Sequence, residues 1–411
     1  MSSLVTELDL PELDPADPAL SGDRWHVTAN SLLDSGHWLA RSPLSLVVID
    51  REAGEFFLRS RSARFPGRQI ADLFGITDGP LREQIDANII NLDNQAHRRL
   101  RGLLNPSLTP RAANAWRPMM REILDELWSE LETLEFDFVS RFSRPYPSRA
   151  IARVMGAPAV DAQRLRDWSE WIQLQFDPIA LSDPATVATI QSKVAEFYDW
   201  VDPLIEARRS TPADDLITTL IRTEEEGERL SDRELRNLVL NVLVGAVDTT
   251  QSQLSHAVRL LASRPEQWQA LRADPETLVP RAVSEALRFE PVTAFTARQL
   301  TGDVLFRDVT FPAGTLLVIC SFTGNRDPQA FDNPREFDIT TERKQARPLT
   351  FGAGIHYCVG ANLARAELEE ALRMLAETAG QIELNGLTEL QAVSGIYGID
   401  RMDLRVSPTS G

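Results

Sequence analysis

Along most of the first 290 residues, apolar side chains recur every three or four positions with charged residues between them, the spacing of a helix with one buried face. The pattern is clearest over 116–134 and 184–221, and breaker pairs such as Asn105-Pro106, Thr109-Pro110, Ala157-Pro158 and Thr211-Pro212 cut the helical stretches apart. The strongest start signal is Ser231-Asp232-Arg233-Glu234, where serine and glutamate are spaced to satisfy free amides of a first helical turn. Nothing interrupts the chain from there to Arg264-Pro265, so a helix of about 33 residues, roughly 50 Å long, is expected. Residues 238–247 are apolar nearly all round, which places the middle of that helix in the interior. A second strong helix is expected over 278–289, stopped by Glu290-Pro291.

Beyond Pro291 the period changes. Residues 296–322 hold β-branched and apolar runs separated by turn signals at Thr301-Gly302 and Pro312-Ala313-Gly314, which predicts a small antiparallel sheet. Residues 323–350 carry many prolines and no sustained period; a last helix is expected over 359–376, followed by short strands. The fold class is therefore mainly α with a minor β-sheet region. Residues 1–20, acidic and proline-rich, read as an extended leader, and 21–411 as a single domain, because neither repeats nor low-complexity linkers divide them.

The composition is that of a globular protein: 411 residues, 43% apolar and 25% charged, with two cysteines. That excludes a disordered chain, a collagen-like repeat and a disulfide scaffold. A secretory signal is not recognisable, and no strongly apolar, charge-free stretch of 18 residues occurs, so a cytoplasmic setting without membrane attachment is expected. A net charge of −17 repels phosphate backbones and argues against a nucleic-acid partner. Residues 94–121 run against this trend, with Arg98, Arg99, Arg101, Arg111, Arg117 and Arg121 and no carboxylate. Two readings stay open for them, a solvated basic helix face and a local anion site.

The sharpest chemical feature is Phe351-Gly352-Ala353-Gly354-Ile355-His356-Tyr357-Cys358-Val359-Gly360, leading directly into a helical sequence. Glycines at this density let backbone approach something flat or bulky. The free amides at a helix start favour a thiolate, which can act as nucleophile, zinc ligand or axial iron ligand. The five histidines do not cluster with the cysteines as a zinc site requires. His356 lies too close to Cys358 to be a simple hydrolase partner. A dinucleotide fingerprint fails because Tyr357 stands where its third glycine is needed. Cys320, set in an apolar run, reads as an inert core thiol.

The decapeptide resembles the haem-binding loop of the cytochrome P450 family, Phe-Gly-x-Gly-x-His-x-Cys-x-Gly, and Phe351, Gly352, Gly354, His356, Cys358 and Gly360 match all six signature positions. The resemblance implies haem b (iron protoporphyrin IX), with Cys358 as the iron ligand, Phe351 packed near its sulfur and His356 reaching a propionate. Further family motifs follow in order. Glu285 and Arg288 match the Glu-x-x-Arg pair, whose implied role is structural; Asn325-Arg326-Asp327-Pro328 and the phenylalanines and proline at 331, 334 and 337 come after it. Gly245-Ala246-Val247-Asp248-Thr249-Thr250 resembles the segment whose acid and threonine relay protons toward the haem, except that Ala246 replaces the usual second glycine. From residues alone, the same hexapeptide could merely kink a helix. Asp93-x-x-x-His97-x-x-x-Arg101 and Arg298 resemble the family's other propionate-binding residues.

By this resemblance the chain is expected to have the cytochrome P450 fold, its long helix crossing the haem. It is expected to be a monomeric monooxygenase that inserts one atom of O2 into a lipophilic small molecule, with hydroxylation the leading reaction. Too little chain follows Cys358 for a fused reductase, so electrons are expected from a separate ferredoxin and an NAD(P)H-dependent ferredoxin reductase. Candidate pocket walls are Val244, Ala246, Val292, Phe295, Ile396 and Tyr397. The alternatives are a peroxide-driven peroxygenase, which the Asp248-Thr249 pair disfavours, and a non-catalytic haem sensor or carrier.

Overall fold

The computed structural model describes residues 3–225, 230–343 and 346–408. Its chain divides into two compact units, one formed by Met1–Pro66, His256–Cys358 and Thr388–Asp400, the other by Gly67–Ser255, Val359–Leu387 and Arg401–Gly411.

The first unit carries most of the sheet. Five strands lie in the order Leu39–Arg41, Leu46–Val48, Leu316–Cys320, Phe295–Leu300, Ala63–Arg64. Residues 295–320 do not make the one antiparallel sheet that their pattern predicts; they supply two. Phe295–Leu300 pairs antiparallel with Leu316–Cys320, whereas Val304–Phe306 and Val309–Phe311 form a hairpin in a separate three-stranded sheet. Leu316–Cys320 also pairs in parallel with Leu46–Val48, so that Val47 lies opposite Val318. A parallel partner comes from far along the chain and leaves no local turn signal, which is why the pattern does not reveal it. The start of the chain joins the hairpin sheet, with Ser3–Leu4 parallel to Val309–Phe311 and with Val5, Leu13 and Leu20 buried. Helix Pro275–Phe289 begins three residues before the expected start, because Asp274 caps it by accepting the Thr277 amide at 3.2 Å.

The second unit is mainly helical, with strand Glu135–Asp137 paired antiparallel to residues 403–405. Pro184–Ser210 packs on Gly79–Ala87 and on Ala162–Gln173, and Arg117–Ser129 packs on Ala361–Thr378. The apolar period over 184–221 is divided after Ser210, and Leu216–Glu225 forms a helix of its own. The long helix runs Asp232–Ala262, with the expected capping box in place: Ser231 N–H donates to Glu234 Oε2 at 2.9 Å and Glu234 N–H to Ser231 Oγ at 3.2 Å.

Much of the basic stretch is answered within this unit. Arg99 pairs with Glu234, Arg117 with Glu369 and Glu370 at 2.5 and 2.8 Å, and Arg121 with Glu377 and Asp125 at 2.7 and 3.0 Å. Arg98 and Arg111 stay exposed. No helix among the described residues is long and apolar enough to cross a membrane.

Candidate functional site

The cysteine loop is shaped by its backbone. Short helical turns at Leu349–Phe351 and Gly354–His356 flank Gly352, whose φ of +69° suits glycine. Cys358 N–H returns to Phe351 O at 2.9 Å and closes the loop. Gly354, at φ +71°, packs against helix Arg51–Arg59, where a Cβ would sit 2.7 Å from Leu58 O; only glycine fits there. Phe351, His356, Cys358 and Gly360 are half-buried. The two cysteines are not bridged; Cys320 is buried, and burial pushes its thiol up, away from the reactive thiolate.

Behind the loop lies a buried charge network. Glu285 is 4% exposed and Arg288 1%. Arg288 grips both carboxylate oxygens, Nε to Oε2 at 2.8 Å and Nη2 to Oε1 at 2.7 Å, and donates onward to the carbonyls of Asn325, Pro334 and Glu336. Arg343 adds a second fork onto Glu285, at 2.9 and 3.1 Å. Asn325 then accepts the Leu349 amide and donates to Thr350 Oγ1, immediately before the cysteine loop. Nothing in the sequence pattern points to Arg343, because it lies in the stretch that has no period.

Other cationic groups are set around rigid elements. Arg298 is buried on strand Phe295–Leu300, where its Nη1 donates to Ala297 O at 2.8 Å. In the helical unit His97 is buried one turn before Arg101, on helix Asn94–Leu104, and Arg101 Nε donates to Asn105 Oδ1 at 3.1 Å. Burial, helped by the charge of Arg101, lowers the proton affinity of His97.

At the middle of the long helix Gly245 is exposed although Leu243, Val244 and Val247 are buried, and a Cβ placed on it meets nothing within 4 Å. Thr249 Oγ1 donates to Gly245 O at 2.8 Å. Asp248 Oδ2 accepts from Ser169 Oγ at 2.9 Å, and burial pushes its carboxyl up to about 7. Ala246 is half-buried. Val292, Phe295, Ile396 and Tyr397 gather in the sheet-bearing unit: Tyr397 N–H donates to Val292 O at 2.8 Å, and Ile396 bridges Thr293. Tyr397 is a core residue there, its hydroxyl accepting the Gly22 amide at 2.9 Å and its carbonyl lying 3.0 Å from His256 Nε2.

The cytochrome P450 family model matches residues 167–377. Luteothin monooxygenase of Streptomyces thioluteus is 33% identical over 398 residues, 97% of this chain and 96% of that protein. The chain is a cytochrome P450. Mycinamicin IV hydroxylase/epoxidase of Micromonospora griseorubida is 33% identical over 313 residues, covering 75% of this chain and 76% of the relative. The crystal structure of CalO2 superposes with a TM-score of 0.89 at 28% identity, covering 98% of this P450 and all of that chain.

As a cytochrome P450 monooxygenase it uses haem b, and the donors fit that group. Cys358 offers a soft sulfur at the end of a loop kept thin by Gly352 and Gly354. His97, Arg101, Arg298 and His356 offer nitrogen donors of the kind that two carboxylates require. Gly245 keeps the long helix bare at the turn that carries Asp248 and Thr249.

Glu367 is a further buried group that no motif marks. It sits 1% exposed on the apolar face of helix Ala361–Thr378, between Leu363 and Ala371. Burial pushes its carboxyl up to about 8, against a smaller pull from the Thr250 hydroxyl. The folded P450 therefore holds a proton here that the unfolded chain releases near its ordinary pKa of about 4.3. Stability is lost as pH rises from there to about 8 and is flat above it. Glu367→Gln, neutral and of equal size, is expected to remove this slope. Its stability should match the parent near about pH 4 and exceed it increasingly up to about pH 8, by roughly 2–5 kcal/mol at the upper end, with a melting temperature that rises in step. Thermal melts across this range check it; parallel curves count against a buried proton.

Proposed function

We propose that this P450 hydroxylates a lipophilic small molecule in the cytoplasm, as a monomer, taking electrons from a separate ferredoxin and an NAD(P)H-dependent ferredoxin reductase. The observation that carries the reading is the acid and hydroxyl on adjacent residues of the long helix, Asp248 and Thr249, beside the bare turn at Gly245. The relatives named a monooxygenase and a hydroxylase/epoxidase support oxygen insertion. Bound haem supplies a thiolate-ligated iron at which dioxygen is activated.

The chain's own residues do the rest. Cys358 Sγ would ligate the metal; His97, Arg101, Arg298 and His356 would take the propionates; Phe351 would cover the sulfur, while Gly352 and Gly360 would keep the loop backbone close. Asp248, with a carboxyl near 7, both holds and yields a proton at neutral pH, the property of a useful general acid. Thr249 hands that proton on through its hydroxyl, which here donates to Gly245 O and must turn away to do so. Val244 and Ala246 on the long helix, and separately Val292, Phe295 and Ile396 in the sheet-bearing unit, are apolar side chains of the kind that orient a substrate C–H bond and exclude water; Tyr397 lies in the core of the sheet-bearing unit. Exposed Arg98 and Arg111 suit an acidic electron carrier.

Thr249→Ala is expected to divert reducing equivalents to peroxide, lowering product formed per NAD(P)H consumed by ~10-fold or more. Coupling is measured with ferredoxin, reductase and a substrate selected by binding spectra from a lipophilic library. Unchanged coupling removes Thr249 from proton delivery. Turnover driven better by peroxide than by the electron-transfer partners overturns the reading in favour of a peroxygenase.

A further inference from the structure

We propose that Ser169, on helix Ala162–Gln173, is a positioning residue for proton delivery: its hydroxyl pins Oδ2 of Asp248, fixing the carboxyl plane and leaving Oδ1 to exchange the proton. The inference rests on the reading of Asp248 as the acid.

Several observations set Ser169 apart from an ordinary helical serine. Its residue is fully buried, on the face that also carries Leu165, Trp168 and Ile172, where a core would take an apolar side chain. Thr189, Thr223 and Ser255 turn their hydroxyls back onto the carbonyl four residues earlier in their own helices. Ser169 instead reaches across to the long helix and donates to a carboxylate at 2.9 Å. A hydrogen bond to a charged acceptor is worth more than one between neutral groups, so this contact favours the ionised form of Asp248.

The charges around the pair are balanced. On Asp248's own helix no charged residue lies within ten positions on either side. From helix Ala162–Gln173 come Glu170, which disfavours ionisation, and Arg166, which favours it; Arg144, at the start of helix Pro145–Met155, also favours it. Glu170 joins them, with its Oε1 3.3 Å from Arg144 Nε and 3.9 Å from Arg166 Nε. Burial and Glu170 push the carboxyl up; Ser169 and the two arginines pull it back, and it settles at about 7. When the proton leaves Oδ1, the Ser169 O–H bond stays intact and its hydrogen bond to Oδ2 shortens as the carboxylate gains charge. A proton from water restores the acid, so the chemistry balances without any further reagent.

The test is an infrared difference titration of the haem-loaded protein, with the carboxyl band assigned by its absence in Asp248→Asn. Ser169→Ala removes the contact that favours charge and is expected to raise the midpoint by about one pH unit. Ser169→Thr keeps the hydroxyl and should return the midpoint towards the parent. The coupling of product to NAD(P)H should shift along the pH axis by the same amount in Ser169→Ala and be restored in Ser169→Thr. The carbon monoxide spectrum should be the same in all three proteins. An unmoved midpoint in Ser169→Ala overturns the proposal even where Asp248→Asn uncouples turnover. Full coupling in Asp248→Asn instead removes the acid role on which the proposal rests, and the two failures are told apart by which variant shows them.

Discussion

Cys358→Ser is expected to abolish the long-wavelength Soret band of the reduced carbon monoxide complex, the signature of thiolate-ligated haem, and to lower turnover per haem by more than ~100-fold. Loss of a partner outside the first ligand shell of a metal already costs 10–100-fold in many sites, and here the ligand itself is replaced. The loop should survive the change, because what shapes it is backbone: the left-handed turns at Gly352 and Gly354, the close approach of Gly354 to Leu58 O, and the Cys358 N–H to Phe351 O bond. A serine hydroxyl stays protonated where a thiol ionises, so the substitution replaces an anionic, polarisable donor by a neutral hard one. Cys320→Ala is the control, since that thiol is buried among Ala294 and Phe322 in a separate core cluster and burial pushes it up. It should leave the band in place. A band unchanged in Cys358→Ser would falsify the ligand assignment outright.

The residues legible in the sequence are those whose partners are local. Ser231 and Glu234 cap the same helix turn, and Glu285 and Arg288 meet across one turn of theirs. The glycines of the cysteine loop announce their backbone conformation without any partner at all. What stays hidden depends on pairing across long stretches of chain. Arg117 finds Glu369 and Glu370, Arg121 finds Glu377 and Arg99 finds Glu234, so three of the six arginines in a run that reads as basic are answered by carboxylates. Leu46–Val48 pairs with Leu316–Cys320 for the same reason. Ser169 and Glu367 leave a fainter trace: each is polar at a position where the helical period calls for an apolar residue. A polar group on the inner stripe of an amphipathic helix costs stability unless something answers it, and that mismatch is visible in the order of residues alone.

The Glu285 network carries the second large effect. Glu285→Ala leaves two guanidinium groups, Arg288 and Arg343, and the Asp338 amide without their shared acceptor, and Arg288 is 1% exposed. Removing one partner of a buried ion pair costs about 3–5 kcal/mol because a charge is left uncompensated in the interior. That is a large part of the ~5–15 kcal/mol by which a typical domain is stable, so little haem-loaded protein should accumulate. Arg343→Ala tests the same network more gently. Its fork onto Glu285 is lost, but Arg288 still holds both oxygens, and a cost of about 1–3 kcal/mol is expected. Arg288→Lys separates charge from shape: an ammonium keeps the charge but cannot span both carboxylate oxygens and also reach the carbonyls of Asn325, Pro334 and Glu336. Its haem content and melting temperature should fall nearer to those of Glu285→Ala than to those of Arg343→Ala. Because Asn325 links these carbonyls to Leu349 and Thr350, haem retention should follow stability down the series. Arg288→Lys protein with parental stability and full haem content would mean that a point charge suffices, and that the fork geometry does not brace the cysteine loop.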